Sequence, residues 1–314
     1  MNNCLYCYKE IDQGNDFHKH CALDFFGTKV VPELNYSLDE MQKLAKDIVS
    51  RSISVPGVQP KLSMSLFDHK EEDRKHRLTV VGALGGNYIF KPPNSAFAEM
   101  PENEHLTMRI AEAIGINVVQ SSLIRLKSGE LSYITKRIDR NPDGSKIHML
   151  DMFQITEAFD KYKSSMERVG KALGKYTSNT LLDKLYLFEL TVFSFITANN
   201  DMHLKNFSMI KTEYGWALSP AYDLLNVTIV NPKDPEELAL TLLGKKKKIT
   251  KYNFVEFGIQ LGLNKKQITS VFSRFNKNKS QALKLIEASF LSSEMKTNYI
   301  NILHERYERL NANL

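Results

Sequence analysis

From Leu181 to Ala198 the chain is apolar around nearly every turn of a prospective helix, with charge only at Asp183, Lys184 and Glu189. A helix that is hydrophobic all round cannot lie on a surface, so the second half of the chain must wrap it in a core. Its charge-free part is far shorter than the roughly 20 residues a bilayer crossing needs. Further apolar residues recur at helical spacing toward the C-terminus, at Ile268, Val271, Phe272 and Phe275 and again at Leu303, Tyr307 and Leu310. The second half therefore reads as a mostly helical lobe.

The first half has a different pattern. Ser37 and Glu40 have capping-box spacing, and Leu38, Met41, Leu44, Ala45 and Ile48 continue it as a helix that ends near Ser50. Leu62 to Phe67 alternates as a strand, Leu78 to Val81 and Tyr88 to Lys91 follow through Gly82, Gly85 and Gly86, and Glu99 to Ile114 is an amphipathic helix stopped by Gly115. Strands near 117–126 and 131–138 are joined at Ser128-Gly129. The sum is an α+β chain with a small mixed sheet lobe over residues 37–140 and a helical lobe over 141–314, preceded by a Cys/His segment over 1–36. At 314 residues and 42% apolar content it is large enough for two packed lobes, and 25% charged residues exclude wholesale disorder. No basic, apolar and small-residue order marks a signal peptide, so the expected location is cytoplasmic. The net charge of +6 permits an anionic partner without demanding one.

All three cysteines fall within the first 21 residues, an odd number that cannot close into a complete disulfide set. With His18 they read C-x2-C-x10-H-x2-C, as Cys4, Cys7, His18 and Cys21, with His20 a competing imidazole. Three thiols and one imidazole suit a tetrahedral structural zinc, and so short a segment has little core of its own to hold it. Without metal, the segment would pack through Phe25 and Phe26 alone.

The long apolar helix runs into Asn199-Asn-Asp-Met-His-Leu-Lys-Asn206, and Asp223 follows 17 residues after Asn206, beyond a predicted strand pair. This is the layout of a kinase catalytic loop and metal-binding aspartate. Phosphoryl transfer needs a carboxylate beside the acceptor hydroxyl, oxygen ligands for magnesium, and a fixed cation near the phosphates. Asp201, the Asn206 and Asp223 pair, and Lys91 at a strand end are of the right types.

In unbroken order the chain resembles the HipA-like serine/threonine kinase toxins of bacterial toxin and antitoxin systems, which have a bilobed protein-kinase-like fold. Ser54-Val-Pro-Gly-Val-Gln-Pro-Lys61 is similar to the family's nucleotide loop, Ile89-Phe-Lys91-Pro-Pro to its ATP-binding lysine strand, and Glu102-Asn-Glu104 to the helix start that follows. Thr135-Lys-Arg-Ile-Asp139-Arg resembles its hinge, Asn200 to Ser208 its catalytic loop, and Ser219-Pro-Ala-Tyr-Asp223 its magnesium aspartate. The resemblance is greatest to the short HipT kinase of three-gene systems, because the extra N-terminal subdomain of full-length HipA has no counterpart. Ser52 and Ser54 match that subtype's autophosphorylated pair.

The resemblance implies ATP and Mg2+ as cofactors and a protein serine as acceptor. The substrate class would be an aminoacyl-tRNA synthetase, tryptophanyl or glutamyl, and its modification would block translation. The implied antitoxin partners are a HipB-like DNA-binding protein and a HipS-like small protein, with DNA met only through the former and no membrane. It also implies that Lys61 and Lys91 contact phosphates, Ile138 offers a backbone contact to adenine, Asp139 binds ribose and His203 positions the phosphates. Glu104 would hold Lys91, with Glu99 and Glu102 as alternatives on the same helix start. A single glycine, Gly57, in the nucleotide loop and Asp223-Leu-Leu in place of Asp-Phe-Gly depart from ordinary kinases. Lys245 to Lys248 is the densest positive charge, suited to a synthetase-bound tRNA or to a solvated turn. Two other classes compete: a phosphatidylinositol-type lipid kinase, disfavoured by the want of a membrane-binding helix, and a silent antitoxin-binding module, which has no chemical need for Asp201, Asn206, Asp223 and Lys91 together.

Overall fold

The computed structural model describes residues 2–51, 61–67, 76–81, 85–141 and 143–311. The loop serines Ser52 and Ser54 therefore lie outside the described residues, as does Gly57. Two compact units divide the chain, Met1–His105 with Val119–Lys146 and Ala288–Phe290 in the first, and Leu106–Val118 with Ile147–Glu287 and Leu291–Leu314 in the second.

In the first unit, α1 (Lys19–Phe26) buries Cys21, Ala22, Phe25 and Phe26 and stops at Gly27. Helix α2 (Leu38–Arg51) starts from the expected capping box, with the Ser37 amide donating to Glu40 Oε2 at 2.7 Å and the Glu40 amide to Ser37 Oγ at 3.3 Å. Strands β1 (Leu62–Phe67), β2 (Arg77–Val80) and β3 (Tyr88–Lys91) follow, then α3 (Met100–Ala113), β4 (Ser121–Arg125) and β5 (Leu131–Lys136). The strands form an antiparallel sheet in the order β2-β1-β3-β5-β4, in which Lys91 pairs with Tyr133. Gly86 turns the chain into β3 at φ +80°, and any Cβ there would run into the Met64 carbonyl, so only glycine fits ahead of the lysine strand. The N-terminal residues do not stand apart. Cys4, Leu5, Phe17, Phe25 and Phe26 share one apolar core with Leu62, Met64, Phe90, Leu123 and Ile134 of the sheet.

In the second unit, β6 (Met149–Asp151), α4 (Met152–Ile155) and α5 (Met166–Tyr176) precede α6 (Thr180–Ile196), the long apolar helix. Its Leu187, Phe188, Leu190, Val192, Phe193, Phe195 and Ile196 are all buried. Each such side chain taken from water stabilises the fold by about 1.5–3 kcal/mol. The β7 (Ser208–Thr212) and β8 (Gly215–Leu218) hairpin completes a three-stranded sheet ordered β6-β7-β8, and α7 (Val227–Val230), α8 (Lys251–Gln260), α9 (Lys265–Ala288) and α10 (Ser293–Asn311) follow. Phe254 of α8 meets Phe195 of α6 edge-on at 5.2 Å. A Cβ on Gly258 would stand 2.7 Å from Ile268 Cδ1, so the glycine sets how closely α8 approaches α9. Among the described residues, no helix is long and apolar enough to cross a membrane.

Candidate active site

The C-terminal end of α6 delivers the chain into a tight polar loop. Ala198 takes a left-handed φ of 50°, and Asn199 to Asn206 follow, closing on a short 3-10 turn over Leu204–Asn206. Backbone bonds fix the loop: the His203 amide donates to the Asp201 carbonyl at 2.8 Å, and the Leu204 amide to the Lys161 carbonyl at 3.1 Å. Asn206 spends its amide nitrogen on the Asp201 carbonyl at 3.1 Å, an arrangement that commits the donor end inward. Its carbonyl oxygen is the end suited to a hard cation.

The β7–β8 hairpin then brings residues 219–223 back to the same place. The Ser219 amide donates to the Ser208 carbonyl at 2.8 Å, and the Tyr222 hydroxyl donates to the Lys205 carbonyl at 2.9 Å and meets Ser208 Oγ at 2.6 Å. Asp223 follows with φ +60°, a strained conformation for a side-chain-bearing residue and common at functional sites. The negative charges of Asp201 and Asp223 both act on His203. Burial nevertheless holds that imidazole below its ordinary value of 6.5, Asp201 and Asp223 pulling upward and Lys161 adding to the depression. His203 is neutral at pH 7, and its buried Nδ1 has no hydrogen-bond partner among the described residues. The second unit thus gathers Asp201, His203, Asn206 and Asp223 as the spacing anticipates.

One group at this site has no motif to announce it. The Tyr162 hydroxyl donates to Asp201 Oδ1 at 2.7 Å, and its ring meets His203 edge-on at 5.1 Å. Burial and the carboxylate push its pKa well up, so the phenol stays a donor. Asp201 is aimed from one oxygen by a residue 39 positions away in sequence.

In the first unit, Lys91 at the end of β3 reaches both carboxylate oxygens of Glu104, at 2.6 and 2.8 Å, with side-chain exposures of 4% and 2%. Of the three glutamates open to it, Glu104 is the partner. Glu102 instead is pushed up to about 7 by burial, with the Glu99 charge adding to the rise. A carboxyl held above its ordinary 4.5 contributes stability below that value and loses it as pH rises through 7. Glu102→Gln should therefore raise the melting temperature near pH 8, the gain shrinking toward about pH 5, in paired thermal melts. A pH-independent difference would contradict this.

Ile138 and Asp139 form a turn just past β5. Arg137 holds both oxygens of Asp139 from Nε and Nη2 at 2.8 and 2.6 Å, and Arg140 Nη1 joins at 2.6 Å. A ribose hydroxyl would have to share this carboxylate with two guanidiniums. Lys61 is exposed immediately before β1. Within the lysine run, Lys246 pairs with Glu236 at 3.1 Å, while Lys245, Lys247 and Lys248 are exposed. Cys4, Cys7, His18 and Cys21 place their ligand atoms within 4.8 Å of one another.

Residues 53–283 match the HipA-like C-terminal domain family. The chain belongs to that family. This HipA-like chain is 29% identical over 269 residues to a putative kinase of Haemophilus influenzae, covering 76% of this chain and 75% of the relative. It is 32% identical over 232 residues to the putative kinase Y4dM of Sinorhizobium fredii, covering 68% and 55%. It is 24% identical over 253 residues to the serine/threonine-protein kinase toxin HipA of Shewanella oneidensis, covering 74% and 56%. The chain thus spans little more than half the length of the latter two. A structure of the Shewanella oneidensis MR-1 HipA, HipB and operator DNA complex superposes with a TM-score of 0.71 at 23% identity, over 96% of this chain and 80% of the other. The Helicobacter pylori proinflammatory kinase CtkA superposes at 0.53 with 16% identity, over 71% and 87%. The α+β kinase-like fold is therefore shared. Oxygen donors at Asn206 and Asp223 and a buried lysine clamped by a carboxylate fit magnesium and a nucleotide phosphate respectively.

Proposed function

We propose that this HipA-like chain is an ATP- and magnesium-dependent serine/threonine protein kinase of the toxin type. The observation that carries the reading is the convergence of Asp201, Asn206 and Asp223 on one hairpin-closed loop. Bound magnesium and ATP would supply the transferable phosphoryl group and neutralise its charge. Asp201 receives the proton of the acceptor hydroxyl and is held in aim by Tyr162. Asn206 and Asp223 would hold the metal, while Lys91, pinned by Glu104, and Lys61 would hold phosphate oxygens. Ile138 and Asp139 would receive adenine and ribose, and His203, whose imidazole burial holds below its ordinary pKa, would position the phosphates.

The acceptor is a serine on an aminoacyl-tRNA synthetase, tryptophanyl or glutamyl, and Lys245, Lys247 and Lys248 suit the phosphates of a tRNA that it carries. Such phosphorylation would inhibit translation. The relative crystallised with HipB and operator DNA favours a HipB-like antitoxin partner, with DNA met through it. The loop pair Ser52 and Ser54 supports the HipT subtype, with a HipS-like small partner and autophosphorylation at both serines. A phosphate there adds nearly two negative charges to the segment that leads into Lys61 and would compete with ATP.

The test is incubation of wild type and Asp223→Ala protein with ATP and magnesium, alone and with purified synthetases, followed by intact-mass measurement and phosphosite mapping. Wild type should gain phosphate at Ser52 or Ser54 and on one synthetase serine, and the variant should gain none. Phosphate only outside residues 50–62 would end the autoregulatory part. No transfer to any protein, with transfer to phosphatidylinositol instead, would end the protein-kinase reading.

A further inference from the structure

We infer that Cys4, Cys7, His18 and Cys21 bind one zinc ion as a tetrahedral clasp that closes the N-terminal segment on itself and so fixes Tyr8, which contacts the helix carrying Glu104. Nothing in phosphoryl transfer calls for these four residues, yet the fold assembles them. Cys4 and Cys7 share one tight turn, closed by the Tyr8 amide on the Cys4 carbonyl at 3.0 Å and the Cys4 amide on the Lys9 carbonyl at 2.9 Å, with Tyr8 at φ 63°. His18 is the N-cap of α1 and Cys21 lies in its first turn, so the second pair is also presented from one turn. His18 Nδ1 lies 3.5 Å from Cys7 Sγ and 3.7 Å from Cys21 Sγ. With Zn–S near 2.3 Å and Zn–N near 2.0–2.1 Å, tetrahedral geometry separates sulfur and nitrogen ligands by about 3.5–3.6 Å. The His18–Cys7 and His18–Cys21 separations are those of a ligand set, and all four ligand atoms lie within 4.8 Å of one another.

An independent observation selects His18 over His20. His18 Nε2 stands 3.0 Å from the Glu10 carbonyl oxygen. A carbonyl only accepts, so Nε2 carries the proton and Nδ1 turns its lone pair to the thiols. That is the outer hydrogen bond by which metal-bound imidazoles are oriented. His20 merely stacks on His18 at a centroid distance of 5.0 Å. The three sulfurs are unbridged, with Cys4 and Cys21 buried. Zinc binding would displace the thiol protons to solvent and leave three thiolates and a neutral imidazole around the ion, with no ligand position open.

The clasp is wired to the lysine pair within the same unit. The Leu5 carbonyl, between Cys4 and Cys7, accepts from the Leu123 amide of β4 at 3.3 Å. Tyr8, directly after Cys7, bonds through its hydroxyl to His105 Nδ1 at 3.0 Å, both side chains being buried. His105 adjoins Glu104, whose carboxylate holds Lys91. Fixing Cys7 thus fixes Tyr8 against the first turns of α3. The effect on nucleotide binding rests on the kinase reading, whereas the metal site itself does not.

The experiment uses the full chain purified without a histidine tag. Elemental analysis should find about one zinc per chain, and cobalt substitution should give the visible spectrum of tetrahedral thiolate coordination. His18→Ala should weaken zinc binding at least about tenfold against a competing chelator, while His20→Ala leaves it unchanged. Zinc removal should lower the melting temperature and weaken ATP binding. No zinc uptake by the chelator-treated chain, or thiols that titrate equally with and without zinc, would overturn the site. A His20→Ala loss larger than that of His18→Ala would overturn the ligand assignment. Zinc bound at one per chain with unchanged ATP affinity on its removal would overturn the coupling alone, and a chain that binds zinc but transfers no phosphate would fail the kinase reading and leave the clasp standing.

Discussion

Asp201→Asn protein is expected to fold as wild type does and to transfer phosphate roughly 10²- to 10⁴-fold more slowly, the usual worth of a positioned acid–base group. The substitution keeps the shape and an acceptor oxygen for Tyr162, whose hydroxyl reaches Asp201 Oδ1 at 2.7 Å. The loop also stays fixed, because the His203 and Asn206 bonds go to the Asp201 carbonyl and not to its side chain. What disappears is the negative charge that can take a proton. Single-turnover transfer under saturating ATP, alongside thermal melts, separates chemistry from folding. Turnover within a few-fold of wild type would show that another group takes the acceptor proton.

The parts of this chain that could be read from sequence are those whose physics is local. Helix α6 declares itself because a segment apolar on all faces has nowhere to go but a core, which holds from Leu187 onward, whereas Leu181, Leu182 and Tyr186 in its first turns stay exposed. Helix α2 does so because Ser37 and Glu40 can satisfy each other's backbone groups only at one spacing. Asp201, Asn206 and Asp223 were legible because the separation between them is that of a short hairpin, which the β7–β8 pairing realises. Tyr162 was not legible, since its bond to Asp201 joins an unpatterned segment to the loop across 39 residues. The choice among Glu99, Glu102 and Glu104 was likewise closed to sequence. All three sit at one helix start, and only the register of β3 against α3 selects Glu104. Helix α1 is not legible in the sequence because it spans eight residues, too few to display an amphipathic period. The two arginines around Asp139 were in view as residues, but their effect on the carboxylate depends on side-chain directions that spacing does not encode.

Glu104→Gln is expected to destabilise the protein by about 3–5 kcal/mol, as removal of one member of a buried ion pair usually does. Lys91 and Glu104 are 4% and 2% exposed, so the ammonium left behind has little water to turn to. The Tyr133 ring, 5.3 Å from Lys91 Nζ, cannot replace a carboxylate that accepts from the ammonium with both oxygens. Loss of activity in this variant alone would not separate a folding role from a catalytic one. The double variant Lys91→Met with Glu104→Leu separates them. Two apolar side chains of similar volume remove both desolvation costs, and such replacements are often neutral or stabilising. The double variant should recover most of the melting temperature lost by Glu104→Gln while still failing to transfer phosphate, because the fixed cation for the phosphate oxygens is gone. Thermal melts and single-turnover transfer on the three proteins supply the comparison. A double variant that is both stable and active within a few-fold of wild type would reduce the pair to a structural strut and return phosphate binding to Lys61.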